Sequence, residues 1–371
     1  MDERKKLFLK KDPYAPPKDG TLFLRSARQL AAHHLAHCPG YARIAKAAGF
    51  TPDMLKSEAD LYRIPVLPTL YFKRNRLFSV PEEKLRVTAT SSGTKGAQSF
   101  VGFDRKSLAL GIGMMFRFFR YYKILSPIPA NYIVLGYEPS SHSDMGAIKT
   151  AYGTTKFAPA LHREYALKDT GADYALNLDG IRRALQRYAK SPFPVRFVGF
   201  PPYMYFLVKI LRNEGIRLKL NRRSMILLGG GWKQFSGEEI DRKTFFRLIE
   251  DTLGIPRERC FEFYSAVEHP MAYVKCSDGH FHIPCYSRVI IRDPVTLLPV
   301  SDGTEGLLSF VTPLVTSMPL LSVVTDDIAV RHDGPCPCGL NAPYFDLIGR
   351  AGVTGIKTCA AGANEFLGRQ K

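Results

Sequence analysis

SMILLGGGWKQFSGEE, residues 224–239, reads as strand, glycine turn and helix start in one run. Met225–Leu228 is a short, unbroken apolar segment, the length of a buried strand and too short for a core helix. Gly229, Gly230 and Gly231 then remove the side chains that would restrict a sharp turn. Ser236 and Glu239 have the spacing of a capping box, in which each side chain satisfies a free backbone N–H at a helix start. Ile240, Phe245, Leu248, Ile249 and Leu253 continue as an apolar stripe at helical spacing, and Gly254 suits the C-terminal stop.

The same unit recurs on either side. Strand-like runs stand at 131–137 (NYIVLGY) and 195–201 (VRFVGFP), with helical stretches at 175–190 and 202–214. Apolar strands alternating with helices predict an α/β fold with largely buried sheets. Upstream, residues 20–60 read as helical with a break at Pro39-Gly40, YRIPVLPTLYFKRN as extended, and 104–122 as a helix with aromatics on a buried face. From about residue 270 the texture changes to short β-branched strands: MAYVKC, HFHIPCYSRVIIRD, EGLLSFVT and LSVVTDDIAVRH. The expected organisation is a helical and extended part over 1–80, an α/β core over 81–270, a β-rich subdomain over 271–347 and a short tail over 348–371.

The chain has 371 residues and a formal net charge of +18, enough for a large core and a preference for anionic partners. Its cations are dispersed, as on a basic solvated surface. No apolar run is long enough for a bilayer, and the basic start lacks the apolar stretch of a secretory signal. Seven cysteines without such a signal point to the cytoplasm. No RNA- or DNA-binding motif is present, so nucleic acid is not expected as a partner.

Five further segments carry chemistry. TATSSGTKGAQSF, residues 88–100, follows an apparent strand, KLRVTATSSG. Ser91, Ser92, Gly93, Thr94 and Lys95 offer hydroxyls, free backbone N–H groups and a cation, as either a solvated turn or a phosphate loop would. The spacing is not that of a Walker A loop. The others are the triple glycine, YSAVEHP (264–270), TDDIA (325–329) and GRAGVTGIK (349–357).

In this order the five resemble the motifs of adenylate-forming enzymes, the superfamily of acyl-CoA synthetases and luciferases. The resemblance implies the large N-terminal domain of such an enzyme. In it Ser91–Lys95 grip the phosphates of ATP, and Gly229–Gly231 lie beside adenine. Tyr264, with Ser265 next to it, stacks on the base. Glu268 holds Mg²⁺, Asp327 binds the ribose hydroxyls, and Arg350 lies near the ribose. Lys95 and Glu268 become catalytic, as donors and a metal-held acid around the α-phosphate are what carboxylate activation needs.

Cys336 and Cys338 in GPCPCGL are close enough to share a metal, and Cys276, His280, His282 and Cys285 are candidates for the remaining ligands. A similarity to phenylacetate–CoA ligase-like members implies the set Cys276, His282, Cys336 and Cys338 around a structural zinc, with His280 and Cys285 as substitutes.

Only 21 residues follow Arg350, where the superfamily adds a whole C-terminal domain, and Gly352 replaces the usual hinge acid. Cys359, in GIKTCAAGANEFLG, resembles the acyl-accepting cysteine of LuxE-type acyl-protein synthetases, which also share the GGGWK stretch ending at Lys233. That resemblance implies a fatty acid substrate and acyl transfer from acyl-AMP to Cys359, with Lys357 lowering the thiol pKa. Onward acceptors are a reductase, a carrier protein or CoA. Lys233 serves either as a phosphate contact or as a solvated cation, and His142 and Ser143 either line a pocket or sit in a plain loop. The alternatives are an acyl- or aryl-CoA ligase, or a non-catalytic relative that binds nucleotide or nucleic acid.

Overall fold

The computed structural model describes residues 2–15, 19–91, 98–140, 146–171, 173–232 and 237–351. They fall into two compact units, one running to Tyr121 and resuming at Ala266, the other Tyr122–Ser265. The division is at 121 and 266, whereas the sequence texture changes near 80, 270 and 347.

The first unit opens with α1 (Glu3–Phe8), capped by the Asp2 carboxylate, which accepts from the Arg4 N–H. Helix α2 (Leu22–His37) stops at Cys38, and Pro39 begins α3 (Pro39–Ala47), where its missing N–H costs nothing. The extended reading of 62–75 needs correction. Only β1 (Leu67–Pro68) is a strand, and α4 (Thr69–Arg74) follows at once, since no proline interrupts TLYFKR. Strands β2 (Leu85–Thr90) and β3 (Phe100–Asp104) form an antiparallel pair with Thr90 opposite Phe100. Helix α5 (Arg105–Tyr121) buries Met114, Phe118 and Phe119. Ile112 and Phe116 on it are about half exposed, so its aromatics are not confined to a buried face as the sequence had suggested.

The second unit is a doubly covered sheet. Strands β4 (Ala130–Tyr137) and β5 (Ala160–Asp169) are joined through α6 (Gly146–Thr154). Then come β6 (Tyr174–Leu176), α7 (Leu178–Ala189), β7 (Val195–Gly199), α8 (Pro201–Asn213), β8 (Met225–Gly229), α9 (Arg242–Leu253) and β9 (Cys260–Ala266). The order is β6-β5-β4-β7-β8-β9, parallel throughout except for the edge strand β6. Its core includes Ile133, Phe197, Val208, Ile226 and Ile249. Helix α9 begins six residues after the expected capping box. Asp241 caps it by accepting from the Thr244 N–H, and Ile240 precedes the helix. Ser236 lies outside the described residues. Gly254 does close the helix, at φ +69°.

Back in the first unit stand β10 (His269–Val274), β11 (Phe281–His282), β12 (Arg288–Arg292), β13 (Gly306–Val311), β14 (Ser322–His332) and β15 (Tyr344–Arg350). An antiparallel sheet runs β11-β15-β14-β13-β12, and β1 joins β14 in parallel through Leu67 and Pro68. No described helix is long and apolar enough to cross a membrane.

Candidate active site and metal centre

The neck of the serine–glycine loop is tied. The Ser91 N–H donates to the Ser99 carbonyl at 3.0 Å, and the Ser99 N–H donates to the Ser91 hydroxyl at 2.9 Å. Ladder bonds between β2 and β3 thus give way to one side chain–backbone clasp before the loop departs. Ser92, Gly93, Thr94 and Lys95 lie outside the described residues, as do Lys233, His142, Ser143, Gly352, Lys357 and Cys359.

Glu268 sits beside this neck. It is 5% exposed. Burial holds its carboxyl above the ordinary value, with the Asp326 carboxylate adding to the rise. A hydrogen bond from Ser99 and the ammonium of Lys73 act in the opposite sense. The Ser99 hydroxyl lies between Glu268 and the Thr69 carbonyl, 3.4 Å from the latter. Loop neck, the start of α4 and the acid that the sequence assigned to Mg²⁺ therefore share one locus. A buried carboxylate with an acidic neighbour and a hydroxyl is a donor set suited to a hard cation. Sequence reasoning missed Ser99, near the end of the loop segment but past the residues given a role, and Lys73, which stands in no motif.

The residue after Glu268 is locked. His269 is fully buried, stacked on Phe310 with ring centroids 4.3 Å apart. Its Nε2 meets the Tyr273 hydroxyl at 2.7 Å, which meets the Ser287 hydroxyl at 2.6 Å. This chain fixes the start of β10 and hence the backbone of Glu268.

One residue on from Asp326, Asp327 on β14 pairs in register with Arg350 on β15. In the second unit the glycine turn leaves β8 beside β9: Gly229 is opposite Phe263, and the Gly230 N–H donates to the Phe263 carbonyl at 3.3 Å. Gly230 has φ +75°, a conformation that favours glycine. Tyr264 and Ser265 follow Phe263 directly on β9. The expected adenine-side residues are thus neighbours within the second unit, and Ser91, Glu268, Asp327 and Arg350 all belong to the first.

The metal ligands converge. Donor atoms of Cys276, His282, Cys336 and Cys338 all lie within 4.8 Å of one another. The Cys276 and Cys336 sulfurs are 3.8 Å apart, and the Cys338 sulfur is 3.3 Å from His282 Nε2. A tetrahedron with metal–sulfur bonds of ~2.3 Å has sulfur–sulfur edges of roughly 3.8 Å. The cage therefore fits a zinc-sized ion, and a disulfide would need a far shorter separation. Burial pushes the His282 imidazole down to about 4, leaving it neutral as a ligand must be, and pushes the Cys336 thiol up to about 12. The turn after β10 presents Cys276, β11 carries His282, and the knuckle before β15 supplies both remaining cysteines. His280 is engaged elsewhere, with Asp346 Oδ1 at 2.7 Å, and Cys285 is turned toward the Asp12 carbonyl.

Comparison with known proteins gives the family. The family model described as acyl-protein synthetase, LuxE, matches residues 2–368. The long-chain-fatty-acid–luciferin-component ligase of Aliivibrio fischeri is 26% identical over 304 residues, covering 80% of this chain and 77% of that protein. The phenylacetate-coenzyme A ligase of Thermus thermophilus is 22% identical over 321 residues, covering 84% and 65%. The crystal structure of 2-hydroxyisobutyryl-CoA ligase in the postadenylation state superposes with a TM-score of 0.64 at 18% identity, covering 91% of this chain and 69% of that one. That likeness shows the fold. The family match extends over nearly the whole chain, so the chain belongs to the acyl-protein synthetase, LuxE, family and is a ligase that works through an acyl-adenylate.

Proposed function

We propose that this chain activates a long-chain fatty acid with ATP and passes the acyl group to a thiol, first its own Cys359. A carboxylate oxygen attacks the α-phosphorus, and the bond to pyrophosphate breaks. The thiolate then attacks the carbonyl carbon of acyl-AMP, AMP leaves, and a thioester forms. A reductase or carrier protein would take the acyl group from there. None of the six described cysteines is in a disulfide, which suits a cytoplasmic enzyme.

The observation that carries this reading is the buried Glu268 at the clasped loop neck, with Lys73 near it. Glu268 would hold Mg²⁺, which would offset charge on the phosphates as pyrophosphate departs. Lys73 would supply a fixed cation to the same anion, and Ser99 would orient the Glu268 carboxyl. Asp327 and Arg350 would receive the ribose, and Gly229–Gly231 with Tyr264 the adenine. Cys276, His282, Cys336 and Cys338 would hold a structural zinc that ties the knuckle to β11.

Incubation with ATP, Mg²⁺ and a panel of carboxylic acids tests the reading. Fatty acids should release pyrophosphate and label the protein, and Cys359→Ala should abolish the label while pyrophosphate release continues. Absence of acid-dependent pyrophosphate would sink the proposal. Acyl-CoA formation without protein label would replace it with the CoA-ligase alternative.

A further inference from the structure

The parallel sheet of the second unit has a polarised rim. The segments that precede its five parallel strands are 122–129, 155–159, 190–194, 214–224 and 254–259, and they carry nine lysines and arginines against two acids. The described residues that follow β4 and β8, 138–140, 230–232 and 237–241, carry four acids and no lysine or arginine. Because β4, β5, β7, β8 and β9 all run the same way, every preceding segment emerges at one edge, opposite to the glycine turn. Lys123, Lys190, Arg217, Lys219, Arg222 and Arg223 are exposed there, and one of the two acids, Glu214, is already paired with Arg182.

The rim is held in shape. The Asn221 amide donates to the Pro192 carbonyl at 2.7 Å, and the Val195 N–H to the Ser224 hydroxyl at 2.9 Å. Backbone bonds tie Asn131 to Pro194, Ala130 to Pro159 and Leu220 to Leu253. The six exposed cations therefore lie at one edge of three adjacent strands, β4, β7 and β8, roughly 10 Å across, without loop rearrangement.

We infer that this edge docks on an anionic lipid surface. A preformed row of cations facing one way can engage a plane of negative headgroups together, each adding attraction within a Debye length. Leu161, 42% exposed at the start of β5, adds an apolar side chain at the same edge. Single-stranded nucleic acid would need open aromatic faces. Two exposed aromatics border these segments: Tyr152 already has Lys156 and Arg163 over its ring, at 4.9 and 5.6 Å from the centroid, and Tyr121 packs edge-on against Tyr14 at 5.2 Å. The inference goes beyond the acyl-transfer reading and does not rest on it.

Vesicle co-sedimentation of the full chain provides the test. Phosphatidylglycerol–phosphatidylcholine vesicles at about 150 mM salt should retain it, and phosphatidylcholine alone should not. Lys219→Glu, Arg222→Glu and Arg223→Glu together should weaken retention by about a hundredfold or more. A control with the same change in net charge, Lys46→Glu, Lys56→Glu and Lys84→Glu in the first unit, should keep it. Circular dichroism establishes that each variant folds. The proposal is overturned if wild type ignores anionic vesicles, if both triple variants lose retention equally, or if the rim triple binds like wild type. A tighter hold on RNA than on anionic vesicles, lost in the rim triple, would also overturn it.

Discussion

Asp327 and Arg350 stand directly opposite each other on β14 and β15, with Oδ1 3.9 Å from Nε. Arg350 is largely exposed, so the pair adds little to stability. What the register does is keep an acid and a cation side by side at the strand end assigned to the ribose. Asp327→Asn should therefore raise the KM for ATP by about tenfold with an unchanged melting temperature. Steady-state kinetics and a thermal scan of one preparation check it; a large loss of stability would make the pair structural.

Glu268 gives a pH signature. Burial raises its folded pKa above the ordinary 4.5, so the ionised form is the one disfavoured. The contribution of this group to stability is fully present below the unfolded pKa and is lost as pH rises through the folded value. Glu268→Gln should thus raise the melting temperature by about 2 °C at pH 8 in Mg²⁺-free buffer, with no gain at pH 4. The same variant should lose adenylation by about 10²-fold or more, measured as acid-dependent pyrophosphate release.

Lys73 should matter for rate rather than folding. Lys73→Ala is expected to lower kcat for pyrophosphate release by roughly 10²-fold, with partial recovery in Lys73→Arg and unchanged circular dichroism. Equal activity in all three proteins would remove Lys73 from the site.

The four-ligand cage should bind one zinc per chain. Cys336→Ser is expected to lose that metal and to melt roughly 5–10 °C lower, since a structural ion contributes directly to folding. Elemental analysis decides: zinc retained in the variant would exclude Cys336 as a ligand.

Legibility followed chemistry. Strands such as Met225–Gly229 could be read because an apolar run bounded by glycines has few other uses. Cys336 and Cys338 were readable as a metal pair because they flank one proline, while the choice of Cys276 and His282 over His280 and Cys285 came from the family similarity. The start of α9 was misread because Ser236-to-Glu239 has the right spacing, yet Asp241 is the residue whose carboxylate reaches a free N–H. Residues 69–74 were read as extended because prolines precede them, and prolines also end where a helix starts. Neither Ser99, which stands near the end of the loop segment, nor Lys73 could be given a role from the sequence. Their significance arises only when β3, α4 and the residue before β10 meet, an outcome of tertiary packing that no local pattern encodes.

The mutual bonds of Ser91 and Ser99 make the loop between them a cassette. Everything before the clasp is set by the β2–β3 register, so changes of length or composition within 92–98 need not propagate into the hairpin. Natural variation can alter those residues without renegotiating the fold. A protein engineer can likewise exchange the seven intervening residues as one part, keeping the two serines as its fixed ends.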